Sequence, residues 1–245
     1  MIDIFMKEFI KKTIRIILTP FVIGDYLKFK KHIRNSRFKF RIADFHPQVR
    51  DKTVKTNFDR HYIYHTAWAA RKLAAIKPDY HIDISSSLYF SSIVSAFIPV
   101  HFYDYRPAEL KLSGLQSQRA DLLKLPFEDV SVSSLSCMHT IEHVGLGRYG
   151  DPIDPDGDLK AIEELKRVLA PGGNLLFVVP VGQPMIEFNA HRIYSYNQIL
   201  SYFSNLELKE FVLIPEKSGD AIHNAGEERI GMEKYGCGCF WFVKK

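Results

Sequence analysis

The amino-acid sequence predicts an α/β fold, a doubly wound and mostly parallel sheet, on three observations. Short apolar runs alternate with helical stretches from residue 60 onward, the order expected of strands joined by crossover helices. The tripeptide Pro171-Gly172-Gly173 is an emphatic turn into an apolar run. Two late runs lie close together and form a hairpin-like pair, which makes the last strand antiparallel. A chain of 245 residues can bury one sizeable core.

In order, Arg60 to Ile76 reads as a helix stopped by Pro78. Tyr80 to Ser85 is a short buried strand, Tyr89 to Phe97 a helix, and Val100 to Asp104 a second strand. Gln118 to Asp121 is a short third strand and Val132 to Met138 a fourth. A loop precedes a helix from about Asp158 to Leu169, and Asn174 to Val179 is the fifth strand. A helix over Ser195 to Phe203 leads to the late strands Glu207 to Ile214 and Cys237 to Val243.

Charge divides the chain. Residues 1–60 carry 15 Lys/Arg against 6 Asp/Glu, a balance of +9, which leaves the remainder at −4. A basic N-terminal arm, residues 1–58, therefore precedes a domain over 59–245. In the arm Ile2, Phe5, Met6, Phe9, Ile10, Ile16 and Ile17 share one helical face, with Lys7, Glu8, Lys11, Lys12 and Arg15 opposite. Pro20 should end or kink that helix, and Lys28, Lys30, Lys31, Arg34, Arg37, Lys39 and Arg41 follow. The uncharged run 16–24 falls short of the roughly 20 residues that cross a bilayer, and no small-residue cleavage site follows it. Residues 1–45 suit an anionic membrane surface; packing on the domain and a polyanionic partner are the alternatives, and no specific nucleic acid is expected. Three cysteines, Cys137, Cys237 and Cys239, read as reduced thiols, which with the arm indicates a cytoplasmic protein, peripheral on the inner face of a membrane.

In a doubly wound sheet, ligands bind beyond the carboxyl ends of the strands near the topological switch point. That rule selects Ser85–Ser87, Asp104, Asp121–Leu122 and His139–His143. Taken together these segments resemble the class I methyltransferases that use S-adenosylmethionine. Asp83-Ile84-Ser85-Ser86-Ser87-Leu88-Tyr89 stands where that family has an acidic residue and a glycine-rich loop. Asp104 stands where an acidic residue takes both ribose hydroxyls, and Asp121-Leu122 beside the adenine. His139-Thr140-Ile141-Glu142-His143-Val144 resembles the signature after the fourth strand, and Leu169-Ala170-Pro171-Gly172-Gly173 the Leu-x-Pro-Gly-Gly turn. The resemblance implies a Rossmann-like fold, S-adenosylmethionine as cofactor, and Asp83, Ser85, Ser87, Asp104, Asp121, Leu122 and His139 as its binding residues. Serine replaces glycine at 85 and 87, and a left-handed serine costs on the order of 1 kcal/mol; Tyr89 is expected to intrude on the methionine end of the pocket. The run His139 to Asp158 and the segment Asn189-Ala190-His191-Arg192-Ile193-Tyr194 also resemble a methyltransferase-like family of unknown function found in bacteria and nematodes. Some bacterial members of that family lie among surface-polysaccharide genes.

His143, His191 and Arg192 are the catalytic candidates: either histidine as base for an acceptor hydroxyl, with Arg192 facing an anionic acceptor. His139 packing beside the adenine and His143 capping a helix are the structural alternatives. No metal site is expected. His139-x-x-Glu142-His143 matches inverted zinc peptidases, but Gly145 and Gly147 leave barely one helical turn for two ligands. An EF-hand frame over 152–163 puts Pro152 at the first ligand position. Asp156 or Asp158 instead caps the following helix, and the acidic loop could bind sugar hydroxyls. Neither an Asn-Pro-Pro-Tyr-like tetrapeptide nor a double-glutamate loop occurs, which argues against base N-methylation and arginine methylation. The reading is an O-methyltransferase acting on a small-molecule or glycan acceptor. The rival is a non-catalytic Rossmann-like domain that binds a nucleotide sugar or scaffolds a membrane-associated complex.

Overall fold

The computed structural model describes residues 20–34, 37–49 and 51–245, so the apolar face expected over residues 2–17 lies outside the described residues. The chain divides into two compact units between Asn57 and Phe58. In the first, residues 20–32 are helical. Tyr26 stacks on Phe40 with ring centroids 4.9 Å apart and meets Phe45 edge-on. Arg41 bonds both carboxylate oxygens of Asp44 at 2.7 and 2.9 Å across a 3-10 turn, Ile42–Asp44. Phe21, Leu27, Phe29, Phe38 and Ile42 are exposed, as are Lys28, Lys30 and Lys31.

The second unit is built on an eight-stranded sheet. Its strands are β1 (His81–Ile84), β2 (Val100–Asp104), β3 (Leu115–Arg119), β4 (Val132–Met138), β5 (Leu169–Val181), β8 (Leu206–Ile214), β9 (Ile222–His223) and β10 (Gly236–Lys244), in the order β3-β2-β1-β4-β5-β10-β8-β9. Pairing from β3 through β5 is parallel, while β10 is antiparallel to both β5 and β8. A short hairpin, β6 (Met185–Glu187) and β7 (His191–Ile193), stands apart. β1 and β4 run buried along nearly their whole length, as parallel strands covered on both faces do.

Period-two alternation sends side chains to two cores. Leu175, Phe177, Val179, Phe240 and Phe242 pack with helices α3 (Gly157–Val168), α4 (Tyr196–Tyr202) and α5 (Glu227–Gly231). Leu176, Val178, Cys237 and Cys239 pack on the other face with α1 (Arg60–Ile76) and α2 (Leu88–Val94). α1 starts where the Asp59 carboxylate accepts the Tyr62 N–H at 3.1 Å. It ends at left-handed Lys77 before Pro78. α4 opens on a capping box between Ser195 and Gln198.

Two expectations shift. The third strand begins at Leu115, because that buried residue pairs with Val100; Asp121 lies beyond it in a bridge to Lys124. The Pro171-Gly172-Gly173 turn lies within β5 as an excursion: Val132 pairs with Leu169 and Ser134 with Asn174, leaving residues 170–173 looped out. Gly172 there has φ +72. No helix among the described residues is long and apolar enough to cross a membrane.

Candidate functional site

The sheet order reverses between β1 and β4, and one cleft opens at the carboxyl ends there, lined by Ser85–Ser87, Asp104–Arg106, Asp121–Leu123, His139 and His143 among others. Ser85 turns the chain out of β1 with φ +55. Its N–H donates to Tyr103 O at 2.7 Å and its hydroxyl to the same carbonyl at 3.2 Å. Those bonds hold a conformation that costs a non-glycine residue about 1 kcal/mol. Thr140 donates to Ser85 O at 3.1 Å, and Ser86 accepts the Met138 N–H at 3.1 Å, so the loops after β1 and β4 are stitched together.

Two expected features of this loop are corrected. Tyr89 is 84% exposed and does not line the cleft, because α2 carries it outward. Asp83 does not line the cleft either. It is fully buried and accepts bonds from Ser91 and, at 2.6 Å, from Ser136. Burial raises its pKa to about 6 against the pull of those donors.

Asp104 and Asp121 do reach the cleft. Asp104 accepts the Arg106 N–H at 2.7 Å and Asp121 the Leu123 N–H at 2.9 Å, each through Oδ1. These bonds fix the carboxylates, and among the described residues neither Oδ2 carries a further hydrogen bond. Leu122 supplies an apolar wall.

His139 follows β4 with φ +54 and also faces the cleft. Its Nδ1 lies 2.9 Å from a carboxylate oxygen of Glu142, itself fully buried. Burial opposes charge on either partner, yet the contact holds Glu142 below its ordinary pKa, and Cys237 together with Glu142 raises His139. Around His139 stand His61, Tyr62 and His65 of α1, with ring centroids 5.0–5.6 Å away.

His143 lies in the 3-10 turn Ile141–His143. Nδ1 lies 2.6 Å from the Ala190 carbonyl, which accepts the ring's N–H, and Nε2, the unprotonated nitrogen of that tautomer, lies 3.8 Å from a Glu142 carboxylate oxygen. Burial lowers the His143 pKa, and the ring meets Tyr149 edge-on at 5.6 Å. Arg148 also donates to Ala190 O, at 3.0 Å.

His191 and Arg192 are not brought to the cleft. Arg192 is buried and clamps the loop from beneath, donating to Val144 O at 2.6 Å and Pro155 O at 3.1 Å, with Asp158 at 3.6 Å. His191 packs on Tyr235, ring centroids 4.7 Å apart, with Glu187 at 3.5 Å. Their contacts are with the hairpin, Tyr235 and the loop, so they serve the local fold. The acidic loop is likewise tied internally. Asp151 accepts the N–H groups of Gly145, Gly147 and Tyr149 at 2.7–3.3 Å. Asp158 accepts the Tyr194 hydroxyl at 2.9 Å, and Asp156 makes no side-chain cap. Sequence reasoning missed Tyr62 and Arg106 in the cleft, and the pair His61 and His65, whose i, i+4 spacing on α1 was a visible signal.

Residues 129–212, about a third of the chain, match a family model described as a Caenorhabditis protein of unknown function, DUF268. No curated protein matches the sequence. Solved structures do match the fold. The YcgJ protein from Bacillus subtilis is 13% identical, with TM-score 0.51 over 75% of this chain and 99% of its own. Geranyl diphosphate C-methyltransferase from Streptomyces coelicolor, solved with Mg²⁺, geranyl diphosphate and S-adenosyl-L-homocysteine, is 14% identical, with TM-score 0.51 over 73% and 80%. The 1,6-didemethyltoxoflavin-N1-methyltransferase from Burkholderia thailandensis is 9% identical, with TM-score 0.50 over 74% and 78%. The fold of this chain is that of the class I S-adenosylmethionine-dependent methyltransferases.

Proposed function

We propose that this chain is an S-adenosylmethionine-dependent methyltransferase that transfers the methyl group to an acceptor hydroxyl, with a sugar or glycan precursor as the acceptor class. The observation that carries the reading is the pair of carboxylates, Asp104 and Asp121, held at the ends of β2 and β3 by backbone donors. Asp104 Oδ2 can accept from ribose hydroxyls, while Asp121 and Leu122 would hold the adenine. The left-handed turn at Ser85 has the backbone that a glycine-rich loop would supply, and Tyr89 leaves the methionine end open. Those features fit the cofactor, which when bound supplies an electrophilic methyl on its sulfonium.

The chain's own residues then have two tasks. The cleft aligns the acceptor oxygen with the methyl carbon, and His143 Nε2 accepts the proton of the hydroxyl. The bond from Nδ1 to Ala190 keeps the ring in the required tautomer, and burial keeps it neutral. Arg106 and Tyr149 add the polar lining that suits a polyhydroxylated acceptor. In the first unit, exposed Phe21, Leu27 and Phe29 beside Lys28, Lys30 and Lys31 support peripheral binding to an anionic membrane.

Calorimetric titration with S-adenosylmethionine and S-adenosylhomocysteine tests the core of this reading. Wild type is expected to bind both, and Asp104→Ala to bind about tenfold or more weakly, since charge-assisted hydrogen bonds contribute about 1.5–3 kcal/mol. Absence of binding to wild type would leave the fold intact and overturn the function in favour of a non-catalytic nucleotide-sugar-binding domain.

A further inference from the structure

Three metal-competent side chains from distant parts of the sequence meet on the α1 face of the sheet. They are His61 from the first turn of α1, His139 after β4, and Cys237 at the start of β10. All three are buried, and one ligand atom of each lies within 4.8 Å of the others. In a tetrahedral zinc site with Zn–N of about 2.0 Å and Zn–S of about 2.3 Å, ligand atoms stand roughly 3.5 Å apart. Side-chain adjustment of about an ångström closes the cluster on an ion.

A second observation points to a ligand. His139 Nδ1 is engaged by Glu142 at 2.9 Å, while its Nε2 is buried with no nitrogen or oxygen partner, and the Cys237 thiol is the polar group beside the ring. The side chain itself is only 4% exposed. Buried polar nitrogens are nearly always satisfied, and in the same cluster His65 Nε2 is also unpartnered, its Nδ1 being bonded to His61 O at 2.7 Å. The bond from His139 to Glu142 is the arrangement that orients a metal-bound imidazole and strengthens it as a donor. Two imidazoles and a thiolate form a borderline-soft donor set suited to Zn²⁺.

We propose that His61, His139 and Cys237 bind a single Zn²⁺ ion, with Glu142 as the carboxylate that positions His139. Binding displaces the Cys237 thiol proton to solvent and forms the zinc–thiolate bond. Three protein donors leave a fourth coordination position for water or an exogenous ligand, and of the three only His139 also lines the cleft. This site is not the local His139-x-x-Glu142-His143 pattern. His143 turns to Ala190, and the second histidine comes from α1. Zinc binding here is independent of whether the cleft takes S-adenosylmethionine.

The full chain, stripped with chelator and titrated with Co²⁺ and then Zn²⁺, tests the site. Wild type should take up one equivalent of Co²⁺, with a thiolate charge-transfer band and intense tetrahedral bands that Zn²⁺ bleaches. Cys237→Ser should lose the charge-transfer band, while Cys239→Ser, altered two residues along the same strand, should keep it. Glu142→Gln should bind 10–100-fold more weakly. X-ray absorption on zinc-loaded wild type, which needs no variant to fold, should show one sulfur among the nearest neighbours. No band in wild type, a first shell without sulfur, or a band that survives Cys237→Ser each overturns the site.

Discussion

At Gly145 the backbone takes φ +79, and a Cβ built there would lie 2.0 Å from Asp154 O. No side chain fits, because both the left-handed conformation and the contact with backbone exclude it. Gly145→Ala should destabilise the protein by about 3 kcal/mol or more, read by urea unfolding, since a strained φ adds to overpacking. A loss under about 1 kcal/mol would show that the loop can move away. His143 carries the complementary prediction for chemistry. His143→Gln should lower kcat by about 10²–10⁴-fold with cofactor affinity unchanged, as loss of a general base does; an unchanged kcat assigns the proton to another acceptor. Both residues are visible in the sequence, but only the bond from His143 to Ala190 shows which ring nitrogen carries the proton.

Among the elements, β1 and β4 share a polar seam inside an otherwise apolar sheet. His81 lies between Ser134 and Ser136 at 2.8 and 2.9 Å, and Ser136 donates on to Asp83. Burial lowers the His81 pKa to about 3 and raises that of Asp83 to about 6. Below pH 6.5 the unfolded chain binds a proton that native His81 refuses, so stability falls as pH falls. Asp83 acts in the opposite sense. Between about pH 4 and 6 the native state holds a proton that the unfolded state has released, so its contribution rises as pH falls. Asp83→Asn removes that offset. Its stability should fall with acid more steeply than wild type over this window, by about 1.4 kcal/mol per pH unit. Parallel stability curves would mean that Asp83 titrates as it does in the unfolded chain. In the sequence, Tyr80 to Ser85 reads simply as a buried strand, because partners 53 residues away cannot be seen there.

Across the whole molecule, charge is segregated, with +9 in residues 1–60 and −4 in the rest. Lys28, Lys30 and Lys31 are exposed beside exposed aromatic residues. Lysines near an anionic surface contribute about 1 kcal/mol each, so the triple change Lys28→Glu, Lys30→Glu, Lys31→Glu should weaken sedimentation with phosphatidylserine vesicles by roughly 100-fold or more. Unchanged partitioning would rule the arm out as a membrane anchor. The alternation of strands and helices, the order of the strand-end motifs and this charge split are all properties of consecutive residues, and the sequence by itself determined them. Local periodicity and turn chemistry suffice to place α1, β2 and β4 at the residues where they occur. The hairpin β6–β7 was not foreseen, since three-residue strands carry too little pattern. Only the tertiary structure decided that Asp83 turns away from the cleft, that Arg192 clamps a loop, and that His61, His139 and Cys237 converge. A side chain's role depends on the face and depth at which it packs, and those are set by contacts between segments far apart in the chain.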